Sequence, residues 1–333
     1  MVDFAAALVK RLAQFGAGVA MMGVIATSLI SMYFPREKAG APMGIWNIWY
    51  PTGSALGFNL VHPVINIFGG GGSGTDFAWH CWWWFGDVAV LIAFILFALV
   101  VSKPTGRESA FGGHGRERGA KNVISDGIKV GRMWVLGLAS MFLLFASLGF
   151  LTQVPHYLAS TYPEVWANDA AAGGMSSLGF YSSIPMSIVS AFLLKKFTTM
   201  RSRAIMMIIC AVASYIYVFA FFVPISSNPA DSQNPLIILL ILCGCVTGFV
   251  ASVMWANVPI TMPRKATIPV GMAIVSICQG IANFIASPII GYVVQTGEQT
   301  YNWGAATVPI AIATTIGLIL SIIYLKTKSP VFD

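Results

Sequence analysis

The chain has 333 residues, of which 9% are charged and 57% hydrophobic, with a formal net charge of +7. A soluble domain carries about 25% charged residues, so this composition excludes an ordinary soluble core and points to an all-α polytopic membrane protein. The basic residues sit in loops between apolar segments, which assigns the positive balance to membrane orientation and leaves the lipid bilayer, with no nucleic acid, as the expected partner.

A membrane-spanning helix needs about 20 mostly apolar residues. Nine stretches qualify: 12–34, 41–68, 79–101, 133–157, 171–194, 204–224, 236–258, 269–294 and 303–325. The loops between them alternate in kind. One set holds Arg36 and Lys38, the seven basic residues from Lys103 to Arg132, then Lys195, Lys196, Arg201 and Arg203, then Arg264 and Lys265, then Lys326 and Lys328. The other set (69–78, 158–170, 225–235 and 295–302) holds none. The positive-inside rule makes the first set cytoplasmic, and the C-terminus with it. Lys10 and Arg11 are the exceptions, because nine segments would leave them at the outer end of segment one. The five cysteines (Cys81, Cys210, Cys243, Cys245, Cys278) lie in or beside apolar segments. Cys243-Gly-Cys245 has neither metal spacing nor a His partner, so they read as small hydrophobes. No cofactor motif is visible.

Two loops echo each other. Pro35-Arg36-Glu37-Lys38-Ala39-Gly40-Ala41-Pro42-Met43-Gly44 and Pro263-Arg264-Lys265-Ala266-Thr267-Ile268-Pro269-Val270-Gly271 both read Pro-Arg, a basic residue, then Pro-x-Gly opening an apolar segment. Pro42 to Pro269, Gly44 to Gly271 and Gly53 to Gly280 keep one offset. Segments one and two thus match seven and eight, a period of six helices. Segments four to six have no partners, so three further helices are expected upstream of Met1, in a relative of twelve segments. The domain organisation that follows is 1–101 as a shortened first half, 102–131 as a cytoplasmic linker and 132–328 as a second half. Gly112-Gly113-His114-Gly115 makes that linker read as solvated and flexible.

With these features the chain resembles the major facilitator superfamily of secondary transporters, as helices four to twelve of its two-bundle fold. Arg11-Leu-Ala-Gln-Phe-Gly16-Ala-Gly18 is similar to the family's Arg-then-Gly-x-Gly start of helix four. Phe192 to Arg203 resembles a degenerate loop motif between helices eight and nine, without its usual Gly and Asp. Tyr50-Pro51-Thr52-Gly53-Ser54 lacks the Gly-Pro-x-x-Gly-Gly pattern of drug antiporters, and Val101-Ser102-Lys103-Pro104 departs from the sugar-porter signature. The resemblance implies pseudo-symmetric halves and a substrate site near the midplane. It also implies that segments one, two, four, five, seven and eight border the cavity, while three, six and nine lie outside.

Polar side chains within membrane helices are costly and mark function by default. In segment eight, Ser276, Gln279, Gly280, Asn283 and Ser287 share one wedge of a helix. Ser276 and Gly280 fit close helix packing; Gln279 and Asn283 are cavity candidates. Segment two offers Asn47, Tyr50 and Ser54, with His62 near its outer end. Gln153, Asn257 and Arg11 complete the candidate substrate set. The serines of segment five (Ser176, Ser183, Ser187, Ser190) suit packing. For ion coupling, His62 and Asp87 are the candidates, although Asp87 falls on an outer helix and suits a local hydrogen bond. The candidate cavity has amides, hydroxyls and aromatics but no carboxylate.

The expected function is alternating-access transport of a small neutral or organic-anion solute across the plasma membrane, with a proton as a possible coupling ion. Arg11 would serve an anion. Two other readings were weighed: an inactive or partner-dependent remnant of a transporter, and a membrane-embedded enzyme. His62, His80, His114 and His156 form no metal-protease spacing and join no Ser/His/Asp set, which argues against an enzyme.

Overall fold

A computed structural model describes residues 23–28, 30, 31, 34, 38–68, 76–100, 122–166, 169–222, 229–297 and 300–327. Arg11, most of segment one and the glycine-rich part of the linker lie outside the described residues. The rest is helical: α1 (Gly40–Trp46), α2 (Trp49–Phe68), α3 (Asp76–Val100), α4 (Val123–Ile128), α5 (Gly131–Thr161), α6 (Asp169–Lys196), α7 (Met200–Ala220), α8 (Pro229–Thr261), α9 (Ile268–Val294) and α10 (Thr307–Lys326).

Helices are what the composition demands, because in lipid each backbone polar group must be satisfied within its own segment. Hydroxyls inside these helices follow the same rule. Ser147, Ser214, Thr314 and Ser321 each donate to the carbonyl four residues back. By length and composition, six described helices suffice to cross a membrane, corresponding to α5 to α10. Nine spans are expected from the sequence; the described residues supply these six.

Segment two is divided. α1 ends at Trp46 and α2 starts at Trp49. Pro51 has no N–H to offer the Asn47 carbonyl, so the ladder is interrupted there. The segment bounds otherwise agree within about four residues, except at α8, which begins at Pro229 rather than 236; α7 begins at Met200 rather than 204. Thr199 caps it, its Oγ1 accepting from the Ser202 N–H at 3.2 Å. This corrects the placing of Arg203 among the loop cations. It lies in the first turn of α7 and is fully buried. Its Nε donates to the Phe197 carbonyl at 3.0 Å and its Nη1 to the Ala256 carbonyl at 2.5 Å.

α5 is the central helix, packed on α9, α10, α6 and α8. All described Lys and Arg lie at one end of the bundle, tied together by Arg203 on Ala256, Thr261 on Tyr324 and the exposed Arg264–Asp126 pair at 3.4 Å. The opposite end carries an aromatic cluster. Tyr157 of α5 meets Trp303 at 5.4 Å and Phe221 at 5.3 Å between ring centroids.

Two seams organise α6. Against α8, Gly244 and Gly248 bring the backbones into contact. A Cβ on Gly248 would lie 2.9 Å from the Ser183 Cα. Ser183 donates across to the Gly244 carbonyl at 2.8 Å and Ser187 to the Gly248 carbonyl at 3.3 Å. This is small-xxx-small packing with hydrogen bonds across it. Against α1 and α2, α6 runs antiparallel along its whole length. A Cβ on Gly44 would come 2.8 Å from the Ala191 Cβ, Asn47 Nδ2 donates to Ser187 Oγ at 3.4 Å, and Phe58 stacks on Phe180 at 5.5 Å.

Among the described residues α3 packs on α2. Val88, Leu91, Ile95 and Leu99 are all exposed, as a lipid-facing helix requires.

Candidate functional site

A cavity of about 430 Å³ opens between α2, α5 and α9. Trp49, Tyr50, Gly53 and Ser54 form one wall, Leu148 and Thr152 a second, and Asn283, Ala286 and Ser287 the third. Its position follows from local sequence. Gly53 has open space where a side chain would be, so α2 recedes from the cavity. On the far side Gly149 admits Ile290 and Ala286, which draws α5 and α9 together.

The chemistry of the wall is one phenol, one carboxamide, three hydroxyls and an indole, with no charged side chain among the lining residues. Some of these groups are already engaged. Thr152 donates to the Leu148 carbonyl at 2.8 Å. Gln153 Nε2 donates to Ser287 Oγ at 2.8 Å and to the Ser287 carbonyl at 3.2 Å. Gln153 therefore holds α5 to α9 beside the cavity and does not line it. Asn283 is exposed to the open volume, and its amide can both donate to and accept from a hydroxyl-bearing solute.

Tyr50, Ser54 and Asn283, three of the eight substrate candidates, are on the cavity wall. Five are not. Arg11 is outside the described residues. Asn47 is buried against Ser187 in the α6 seam. Asn257 is fully buried between α8 and α7, with Nδ2 3.5 Å from the Met207 sulfur. The glycine packing of α8 on α6 fixes the rotation of α8 and turns Asn257 away from the cavity. Gln279 is half-buried, and its Nε2 finds no partner among the described residues. The fifth is Gln153. Of the coupling candidates, His62 is half-buried on α2 and Asp87 is exposed on α3, and neither lines the cavity.

Among the described residues, a Cβ on Gly280 would meet nothing within 4 Å, so its expected packing role finds no partner there. Its neighbour Ser276 does pack, with a Cβ on Gly23 falling 3.3 Å from Ser276 Oγ. The serines of α6 are spent on packing, as described. Segments five and seven, expected at the cavity, contribute no lining residue to this one. Thr152, Trp49 and Leu148 were missed. A threonine bonded to its own helix, one leucine among many and a tryptophan beside better polar candidates carry no separate signal.

The aromatic pairing of Trp46 with Trp255, edge to face at 5.7 Å, closes the space between the cavity and the basic end. Beyond it Gly44 seats on Ala191, and a Cβ on Gly40 would stand 2.9 Å from the Arg203 Nη2.

Residues 11–268 match the family model of the Major Facilitator Superfamily. No curated protein matches the chain. The match takes in the two halves of the α1–α2 segment, the linker, α5 to α8 and the start of α9. A many-helix apolar bundle with a polar cavity between its helices, matched over most of its length, is a membrane transporter, and the chain belongs to the Major Facilitator Superfamily.

Proposed function

We propose that the chain is a secondary transporter that carries a small neutral or anionic solute by alternating access through the cavity between α2, α5 and α9. The observation that carries this reading is the cavity wall, where Tyr50, Ser54, Thr152, Asn283 and Ser287 offer hydrogen bonds and no charge. A pocket that is mostly apolar with a few convergent polar groups is the usual form of a small-molecule site. A cationic solute would need a counter-charge in this low-dielectric setting, and the wall has none among its lining residues. The anionic option rests on Arg11.

In this proposal residues 1–101 and 132–328 form the two moving parts, joined by the linker 102–131. The seam of α1 and α2 with α6 is where they meet. The basic end faces the cytoplasm by the positive-inside rule, in the plasma membrane, with the C-terminus on that side. His62 and Asp87 both lie off the cavity, so the coupling step is assigned to neither.

The test is uptake of labelled neutral and anionic solutes into liposomes that hold the full chain. Asn283→Ala is expected to weaken transport affinity about three- to tenfold, the value of one lost hydrogen bond, with the melting temperature unchanged. Transport that ignores Asn283→Ala and Tyr50→Phe alike would move the solute path elsewhere.

A further inference from the structure

A second cavity, of about 550 Å³, lies on the outside of the bundle among α6, α7 and α8. It exists because α6 and α7, although consecutive, both pack on α8 and barely touch each other. Small side chains make its floor: Cys210 and Ala213 from α7 and Cys245 from α8. Met186 and Phe197 on one side and Ile209 and Phe249 on the other make its walls. Ser202, at the basic end, is the polar residue at its mouth.

The length of this groove is informative. From Ser202 to Ala213 it follows α7 for about 16 Å at 1.5 Å per residue. Half of a hydrocarbon core of about 30 Å is nearly the same distance. The groove therefore runs from one membrane surface to the midplane, the depth of a single leaflet. Its chemistry changes at the mouth. Lys195 and Lys196 end α6, Arg201 opens α7, and all three are exposed. Lys196 adjoins the lining residue Phe197, and Arg201 adjoins Ser202. The structure gives these three cations no acidic partner among the described residues.

We propose that this groove is a binding site for an anionic phospholipid, with one acyl chain lying along α7 and the phosphate held by Lys195, Lys196 and Arg201. The apolar channel alone would accept any lipid. The three cations at its mouth select the charge, because juxtamembrane Lys and Arg each attract an anionic headgroup. The leaflet involved is the cytoplasmic one if the orientation proposed above holds, but the site itself does not depend on that orientation.

The test uses the purified full chain and native mass spectrometry, with phosphatidylglycerol and phosphatidylcholine of identical acyl chains as probes. Phosphatidylglycerol is expected to be retained in preference. Retention should fall about fivefold for each cation removed in Lys195→Gln, Lys196→Gln and Arg201→Gln. These exposed positions leave the fold intact. Ala213→Phe, which fills the channel, should lower retention of both lipids. Equal retention of the two lipids by the unaltered chain would overturn the proposal, as would a charge-depleted variant that still prefers phosphatidylglycerol. Cross-linking of two copies through Cys245 in the membrane would also overturn it, since the groove would then be covered by protein.

Discussion

The two seams of α6 use the same small residues in opposite ways. Against α8, glycines lie on backbone: Gly244 against the Gly179 carbonyl and Gly248 against Ser183, with serine hydroxyls donating across to main-chain carbonyls. Against α1 and α2, Gly44 meets the side chain and backbone of Ala191, and the polar contacts are two long amide–hydroxyl bonds, from Asn47 to Ser187 at 3.4 Å and from Asn59 to Tyr181 at 3.3 Å. Farther along, two phenyl rings stack. The first seam parts only by separating backbones in direct contact and giving up two hydroxyl-to-carbonyl bonds. The second parts at the cost of dispersion and two long hydrogen bonds between side chains. The proposed alternating-access cycle would need one kind of contact within each moving part and the other kind between them, and α6 carries both kinds.

The sharpest way to break this comparison is Gly248→Val. The new side chain meets the Ser183 backbone, which no rotamer change can clear, so the cost is expected at the upper end of the ~1–3 kcal/mol typical of overpacking. The expected result is a large loss of monodisperse protein on size exclusion. A variant that elutes and melts like the parent would show the α6–α8 seam to be loose.

Gly44→Val should behave differently. The chain is expected to fold, with Tm lowered by a few degrees at most. A cysteine introduced by Ser187→Cys should react faster with a thiol reagent, because α1 is wedged away from Ala191. If Gly44→Val abolished folding as Gly248→Val does, the contrast between the seams would fail.

The smallest effect tests the hydrogen bonds alone. Ser183→Ala removes the donor to Gly244 without changing packing, and bonds of this kind between membrane helices average about 0.6 kcal/mol. A small fall in Tm is expected, well below that of Gly248→Val. A fall of equal size would transfer the strength of the seam from the glycines to the serines.

The sequence made the helices and the family legible because both depend on local signals. Runs of apolar residues mark spans, and the placing of Lys and Arg marks one end of the bundle. Arg203 was misread because its position depends on a cap: Thr199 starts α7 one turn early and draws the arginine inside. The amides were harder still. Asn47, Gln153 and Asn257 look alike in sequence, yet each is used to hold one helix to another. Which amide faces a cavity depends on helix rotation, and rotation is set by contacts such as Gly244 on Gly179 that no single segment reveals. Asn283 differs from them in remaining exposed, on the cavity wall.

The lengths of α5 and α8 have a further consequence. At 31 and 33 residues they are about 46 and 50 Å long, against a hydrocarbon core of about 30 Å. Such rods fit only by tilting or by standing proud of the bilayer. The Tyr157–Trp303 cluster is buried, with Tyr157 donating to the Phe221 carbonyl and Trp303 to the Ser160 hydroxyl, so it ties the end of α5 to its neighbours. Changes in membrane thickness then fall on the tilt of both helices, and α8 shares the tight seam with α6. Bilayer thickness is thereby coupled to the rigid part of the molecule, and lipids of different chain length should change its melting temperature more than they change the shape of the cavity.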